Sequence, residues 1–453
     1  MGEATSDPVR LPPMVLVPKM MQGLAFVVAR KKATRCVARR YGATFTLNLP
    51  IFGPTVVVGD PALVKDVFTT GTDQIARASM LGKVLGPGST FSLDGDEHRQ
   101  RRKLLVPPFH GRRMQGYEQI IEDEVMRETA TWPSGQEFGT LKPMMRITLN
   151  AILRAVFGAE GAELDELREL LPPAVALGSR MAVVPTALRR DLGPWSPWAR
   201  FLDYRRRCDA VIDSLIARAR SDRPLQDRSD VLSLLLGARY DNGEPISDRH
   251  IVDELLTLLT AGHETTATTL AWTIERLRRH PSLLARLTEE VDAGGSELRQ
   301  ATIWEVQRTR PVIDVTLRRT KQRVRLGEWV IPEEHSIMVS IGLVHESQES
   351  FPGAETFNPD RFVGSPPDTY AWIPFGGGVH RCIGAAFANM EMNVTLRTLL
   401  REFTFAPTRA RGERVHSRGV ATAPGCGGRA VVYRRSVSVP VNAAGEPAFR
   451  HGR

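Results

Sequence analysis

The segment Tyr370 to Met390 reads YAWIPFGGGVHRCIGAAFANM and sets one cysteine, Cys382, between a glycine-rich loop and an Ala/Gly-rich helix start. Gly376, Gly377, Gly378 and Gly384 let a backbone turn tightly and come close to a flat ligand. A helix that begins near Cys382 brings its positive dipole end and free N–H groups to the sulfur, which favours the thiolate. A thiolate binds iron, and on a haem iron its electron donation promotes cleavage of an O–O bond, the known behaviour of that ligand. A cysteine among glycines is more often a plain turn residue, as Cys426 in PGCGG illustrates. Cys382 differs in the complete spacing F-x-x-G-x-x-x-C-x-G, from Phe375 through Gly378 to Gly384.

Upstream, Leu258, Ala261, Thr265 and Thr269 stand three and four apart, so in a helix they share one face. Ala261 and Gly262 leave a gap in it, and beside the gap Glu264 and Thr265 supply a carboxylate and a hydroxyl able to relay protons into an otherwise apolar pocket. His263-Glu264 begins like a zinc-protease HExxH helix, but Ala267 stands where the second histidine belongs. His98 and Arg102, four apart in GDEHRQRRKLL, project from one helix face and can clamp an anion, although a solvated basic helix has the same pattern. Glu305 and Arg308 are three apart, a spacing shared by Glu124/Arg127 and Glu275/Arg278, so the pair alone says little.

In combination these motifs resemble those of the cytochrome P450 family. The Cys382 loop has the form of its haem-binding signature, and AGHETT that of its oxygen-activation motif. Glu305, Arg308 and Arg361, the last within FNPDRF, follow the order of its Glu-Arg-Arg structural triad. The resemblance runs from the N-terminal strands to the APGCGG turn. It implies a mainly α fold with a small β-rich lobe, one haem b, Cys382 as axial iron ligand and Phe375 packed near the sulfur. It also implies haem propionates held by His98, Arg102 and His380, with Arg318 as a further ligand whose register the adjoining Arg319 leaves open. Ala261, Gly376 and Gly384 fall beside the cofactor. Glu264 and Thr265 take the oxygen-activating roles, and the implied reaction inserts one atom of O2 into an apolar organic substrate.

The chain has no flavin-binding or iron–sulfur cysteine pattern, so electrons are expected from a ferredoxin and its ferredoxin reductase. An acidic ferredoxin would suit a basic face formed by Arg101, Lys103, Arg112 and Arg381. Two rival readings keep the same cysteine loop. A haem-thiolate peroxygenase or isomerase would not need Glu264 and Thr265, and a non-catalytic haem sensor or carrier would need no substrate cavity.

Helices must position most of these groups. Gln119 to Thr131, Leu141 to Phe157 and Ala199 to Ala219 carry apolar residues at helical spacing. The longest signal starts at the N-cap Ser247 and runs to Arg279, where His280-Pro281 stops it; it would span roughly 50 Å at about 1.5 Å per residue. Thr44 to Leu49 and Thr55 to Val58 read as two short strands, and Arg323 to Ile331 with Ser336 to Ile341 as a second sheet region. Met14 to Ala29 is interrupted by Pro18, Lys19 and Gln22 and falls short of the roughly 20 apolar residues of a spanning helix, so a surface-packed helix is expected and no transmembrane anchor. Residues 1–453 read as one domain, with 434–453 as a trailing tail.

Composition supports this assignment. Hydrophobic residues at 42% and charged residues at 25% of 453 suit a soluble globular protein with a sizeable core. The four cysteines are far apart with no CxxC pair, which disfavours a disulfide framework or zinc cluster and fits a reducing cytoplasm. Sixty basic against 51 acidic residues give a net charge of +9. The basic runs Arg99 to Lys103 and Arg205 to Arg207 lack interleaved aromatics, so they read as solvated helix faces rather than a nucleic-acid surface. Segments 78–92, 176–198, 258–265, 312–317 and 420–423 are expected around the pocket. Phe91, Met181, Val183 and Val184 make it apolar without naming a substrate.

Overall fold

A computed structural model describes residues 2–78, 80–158, 161–221 and 230–435, the side chains of 112 and 113 excepted. The elements that bear on the site are, in chain order, helix α1 (Lys19–Tyr41), strands β1 (Thr44–Leu49), β2 (Gly53–Val58) and β3 (Ile75–Arg77), and helices α2 (Gly95–Leu105), α3 (Leu141–Phe157), α4 (Ala162–Ala182), α5 (Pro197–Ser221), α6 (Asp248–Leu277) and α7 (Glu297–Thr309). Strands β4 (Val315–Thr320) and β5 (Ser336–Ser340), helix α8 (Ala385–Glu402) and the hairpin β6 (Val415–Ser417) and β7 (Thr422–Pro424) follow.

Mainly α architecture with a small β lobe is observed as expected. One five-stranded sheet has the order β1-β2-β5-β4-β3, with β2 parallel to β5 and the other pairs antiparallel. Its β-branched faces bury Val56, Val58, Ile337 and Val339 on one side and Phe45, Leu47 and Met338 on the other. The N-terminal segment departs from expectation. Met14 to Pro18 is not helical, because Pro18 can only lead into a helix and Met14 bridges Thr46 of β1; the helix begins at Lys19. Among the described residues no helix is long and apolar enough to cross a membrane. Arg434, expected in the tail, closes a strand paired with Phe403–Phe405, and residues 436–453 lie outside the described ones.

The long helix α6 crosses the helical core for about 45 Å. The Ser247 hydroxyl caps it by accepting from His250 N–H at 3.4 Å. Leu255, Leu259, Leu270, Trp272 and Ile274 are buried, and α6 packs along α3 and α5. Its first third is tied down by charge. Asp253 pairs with Arg205, and Glu254 accepts from Arg101 at 3.2 Å and from Thr90 N–H at 2.9 Å. Arg101 also donates to the Tyr240 hydroxyl at 2.6 Å. Arg101 and Arg205 are therefore buried, which corrects the solvated reading at one position of each basic run and removes Arg101 from any docking surface; Arg99, Lys103, Arg206 and Arg207 are exposed as expected. The charge of the two buried arginines is compensated by acids far away in sequence.

The Glu305–Arg308–Arg361 arrangement is assembled. Arg308 donates both Nε and Nη2 to the two Glu305 oxygens at 2.7 Å, and Arg361 Nε lies 3.4 Å from Glu305. Arg308 also donates to the carbonyls of His345, Ala354 and Thr356. The His345 ring completes a link to the cysteine loop. Its Nδ1 sits 3.1 Å from Arg308 O, and its Nε2 accepts from Ile373 N–H at 2.9 Å; burial holds the ring neutral, its pKa lowered to about 3. Arg308→Met would strand the buried Glu305 carboxylate and should cost about 3–5 kcal/mol. Denaturant titration checks this, and a loss under about 1 kcal/mol would remove the triad from the account of stability.

Candidate active site

The cysteine loop is held by its own backbone. Cys382 N–H donates to Phe375 O at 2.9 Å, Gly376 N–H to Ile373 O at 3.0 Å and Arg381 N–H to Gly378 O at 3.1 Å. Gly378 has φ +65°, and a Cβ there would fall 2.1 Å from Phe68 O, so no other residue fits without moving the backbone. Phe375 packs edge-on against Trp372, whose indole donates to Trp304 O at 3.0 Å. Gly384 precedes the first turn of α8, which begins at Ala385, as the spacing required.

Cys382 is accessible, yet it lies deep enough that burial raises its thiol pKa. The two observations agree if the sulfur faces an internal cleft. The Gly384 N–H, Arg102, Arg381 and Arg77 oppose that rise, so the polarising groups expected from sequence are present but outweighed by desolvation. A bound cation would reverse the balance.

On α6, Ala261 is exposed in mid-helix, with Leu258 and Thr265 half-buried on the same face and buried residues on the others. Gly262 lies elsewhere: a Cβ on it would meet Ile152 of α3 at 3.3 Å, so it serves helix packing and Ala261 alone opens the face. The Thr265 hydroxyl donates to Ala261 O at 2.8 Å. Glu264 is buried and accepts from Arg418 Nε at 2.5 Å; among the described residues no hydrogen bond joins it to Thr265. Arg418 belongs to the turn between β6 and β7. Its neighbour Val420 donates its N–H to the Ser179 hydroxyl at 3.0 Å, which ties that turn to the end of α4.

Cations converge beside the cysteine loop. His98 and Arg102 share α2, and Arg102 donates to Arg381 O at 2.6 Å. The His98 and His380 rings lie 4.5 Å apart. Arg318 of β4 is buried directly opposite Arg77 of β3 in the antiparallel register, whereas Arg319 is exposed and pairs with Glu334. Arg77 reaches Thr90 O at 3.3 Å and His380 O at 3.4 Å, so a continuous run of contacts connects Glu254 of α6, Thr90, Arg77 and the cysteine loop.

Burial lowers Arg77 to about 10 and Arg318 to about 9; the Arg102 charge lowers Arg77 further, and the Arg77 charge lowers Arg318 further. Burial and these cations also hold His98 down to about 4 and His380 to about 2. The single carboxylate in the cluster, Asp94, is 3.8 Å from His380 and also binds Lys321. His98 Nδ1 and His380 Nε2 are buried with no hydrogen-bond partner. Like charges opposed across a strand pair, with orphaned ring nitrogens between them, suit a carboxylate-bearing ligand. Two carboxylates at one edge of a flat ring with an iron at its centre is the form of haem, and the residues fit it.

A family model described as Cytochrome P450 matches residues 12–425. The chain belongs to the cytochrome P450 family. It is 57% identical over 429 residues to cytochrome P450 138 of Mycobacterium tuberculosis, covering 94% of this chain and 97% of that one. It is 38% identical to cytochrome P450 137 of the same organism, over 90% of this chain and 86% of the relative. The solved structure of retinoic acid-bound cyanobacterial CYP120A1 superposes with a TM-score of 0.84 at 21% identity, over 94% of this chain and all of the other, which shows the shared fold. The chain is therefore a P450 monooxygenase with haem b as its cofactor.

Two residues of this P450 escaped sequence reading. Arg77 sits in a three-residue strand, and only the pairing of β3 with β4, some 240 positions away, gives it meaning. Arg418, in SRGVAT, carries no local signal at all. Arg318→Met should separate folding from cofactor retention: it weakens haem binding by roughly tenfold or more, while the haem-free protein becomes no less stable because a buried, uncompensated cation is gone. Haem transfer to an acceptor protein and thermal melting of the haem-free form measure the two effects. Unchanged haem loss would contradict the cradle.

Proposed function

We propose that this P450 oxidises an apolar organic substrate with electrons from a separate ferredoxin and ferredoxin reductase in the cytoplasm. Bound haem supplies the reductive activation of O2 from which one oxygen atom enters the substrate. Cys382 would supply the thiolate that holds the haem iron. Arg77, His98, Arg102, Arg318 and His380 hold the propionates, with neutral histidines donating ring N–H groups and the arginines supplying charge. Ala261, Gly376 and Gly384 keep backbone or small side chains against the ring, and Phe375 supports the loop beneath the sulfur.

The observation that carries this reading is the opened face of α6, where Ala261 is exposed and Leu258 and Thr265 are half-buried in the middle of a mostly buried helix. Thr265 orients a proton donor there, and Glu264 resupplies it. In the geometry described Glu264 is engaged by Arg418, so proton delivery requires that carboxylate to turn away from the β6–β7 hairpin. The hairpin also binds the segment before β4, Thr422 N–H donating to Val312 O at 2.9 Å, so a substrate lodged between 312–317 and 420–423 presses on the element that holds Arg418. Substrate arrival and release of the acid are thereby coupled.

Ferredoxin docks over exposed Arg381, with Lys103 at its edge; Lys103 already pairs with Asp241 at 2.8 Å, and the Arg112 side chain lies outside the described residues. The Thr265→Ala enzyme should bind substrate unchanged but yield on the order of a hundredfold less product per electron, with reductant lost to reduced oxygen. Stoichiometry of reductant, O2 and product tests this, using an apolar substrate found by optical titration. Unaltered coupling would defeat the assignment.

A further inference from the structure

The N-terminal helix carries an apolar surface that the haem chemistry does not use. Of nineteen large hydrophobic side chains exposed among the described residues, nine fall between Val9 and Val28. Met20, Met21, Leu24, Val27 and Val28 are 60–75% exposed and form one stripe at helical spacing, extended by Leu16 at 87%. The helix is not loosely placed. On its other face the Gln22 amide donates to Val15 O at 3.1 Å and Val17 O at 2.7 Å and accepts from Asn48 N–H at 2.8 Å, while Phe26 packs edge-on against Phe52 at 6.4 Å. The fold thus holds the stripe outward. Ile51, at the β1–β2 turn next to that contact, is exposed as well.

Charge identifies the occupant. From Pro8 to Gly59 there is no Asp or Glu and there are eight Arg or Lys. Arg30, Lys31 and Arg35 are drawn inward by Asp314 and Glu346, and Arg10 pairs with Glu328. Lys19, Lys32 and Arg39 remain exposed with no acidic partner among the described residues. Backbone geometry divides the two characters: Ala29, at φ −141°, interrupts α1 after the apolar stripe and before the basic run. A second copy of the chain would bring the same cations face to face, which opposes self-association through this surface. An interface with apolar depth below and anionic groups above accepts both features.

We propose that α1 is a peripheral docking surface for an anionic lipid bilayer, its stripe lying in the headgroup boundary with Lys19 and Lys32 over the lipid phosphates. The site would let apolar substrates reach the enzyme from the bilayer, although the attachment itself is independent of the reaction.

Vesicle co-sedimentation of the haem-loaded full chain tests it, comparing phosphatidylcholine alone with phosphatidylcholine containing about one-third phosphatidylglycerol. Binding is expected to the anionic vesicles and to fall with added salt. Lys19→Gln and Lys32→Gln should each lower it about fivefold. L24E combined with V28E should abolish it; both positions are exposed, so the melting temperature and haem content remain those of the parent. No binding, or equal binding to both vesicle types, would overturn the proposal. So would a concentration-dependent dimer that L24E/V28E dissociates, or binding to polyglutamate in place of vesicles, since these assign the face to a second copy or to an acidic protein.

Discussion

Two arginines opposed across a buried pair of strands are a constraint that folding alone does not favour. Burial lowers both Arg77 and Arg318, Arg77 lowers Arg318 further, and His98 and His380 are kept neutral beside them with ring nitrogens unpaired. The cost of desolvating these groups is met when an anion joins them, so the arrangement gains stability from a ligand that the chain cannot supply from its own side chains. The rest of the structure can be read outward from that requirement. β3 and β4 must pair to bring the arginines together, α2 must present His98 and Arg102 on one side, and the cysteine loop must bring His380 to the other.

Rigidity of the loop comes from a second buried network. Glu305 fixes Arg308, Arg308 gathers three carbonyls, and His345 passes the constraint to Ile373, from which the loop turns through Gly376. The α6 helix is fixed independently by Asp253 and Glu254 at its start. The Cys382 loop and the Glu264–Thr265 segment of α6 are thus positioned by different anchors, joined through Thr90 and Arg77. The Glu264–Arg418 ion pair links α6 to the β6–β7 hairpin, which is where the proposed coupling of substrate and acid would act.

Local pattern revealed much of this. The Leu141–Phe157 helix and the Thr44–Leu49 strand have the expected limits, because binary patterning and turn residues at their ends are local properties. Ser247 caps the long helix as expected; boundaries moved where the stop signal of Pro18 outweighs the apolar run before it, or where the periodic run is offset from the helix, as at Gln115–Thr129. The cysteine spacing and AGHETT pointed to the site because each is contiguous. Arg101 was misread because its partners, Glu254 and Tyr240, are about 140–150 positions away, and Arg77 was missed for the same reason. Gly262 was assigned to the cleft from helix spacing alone, whereas its face is decided by where α3 packs. Charge pairing and helix–helix contact are long-range facts that sequence spacing does not encode.

The most direct test of the account is the spectrum of the reduced, carbon monoxide-bound Cys382→Ser protein. If the cationic cradle holds the propionates and Cys382 alone supplies the sulfur, the variant should retain haem and lose the thiolate signature. A variant that kept that signature would show that another group ligates the iron and would contradict the account.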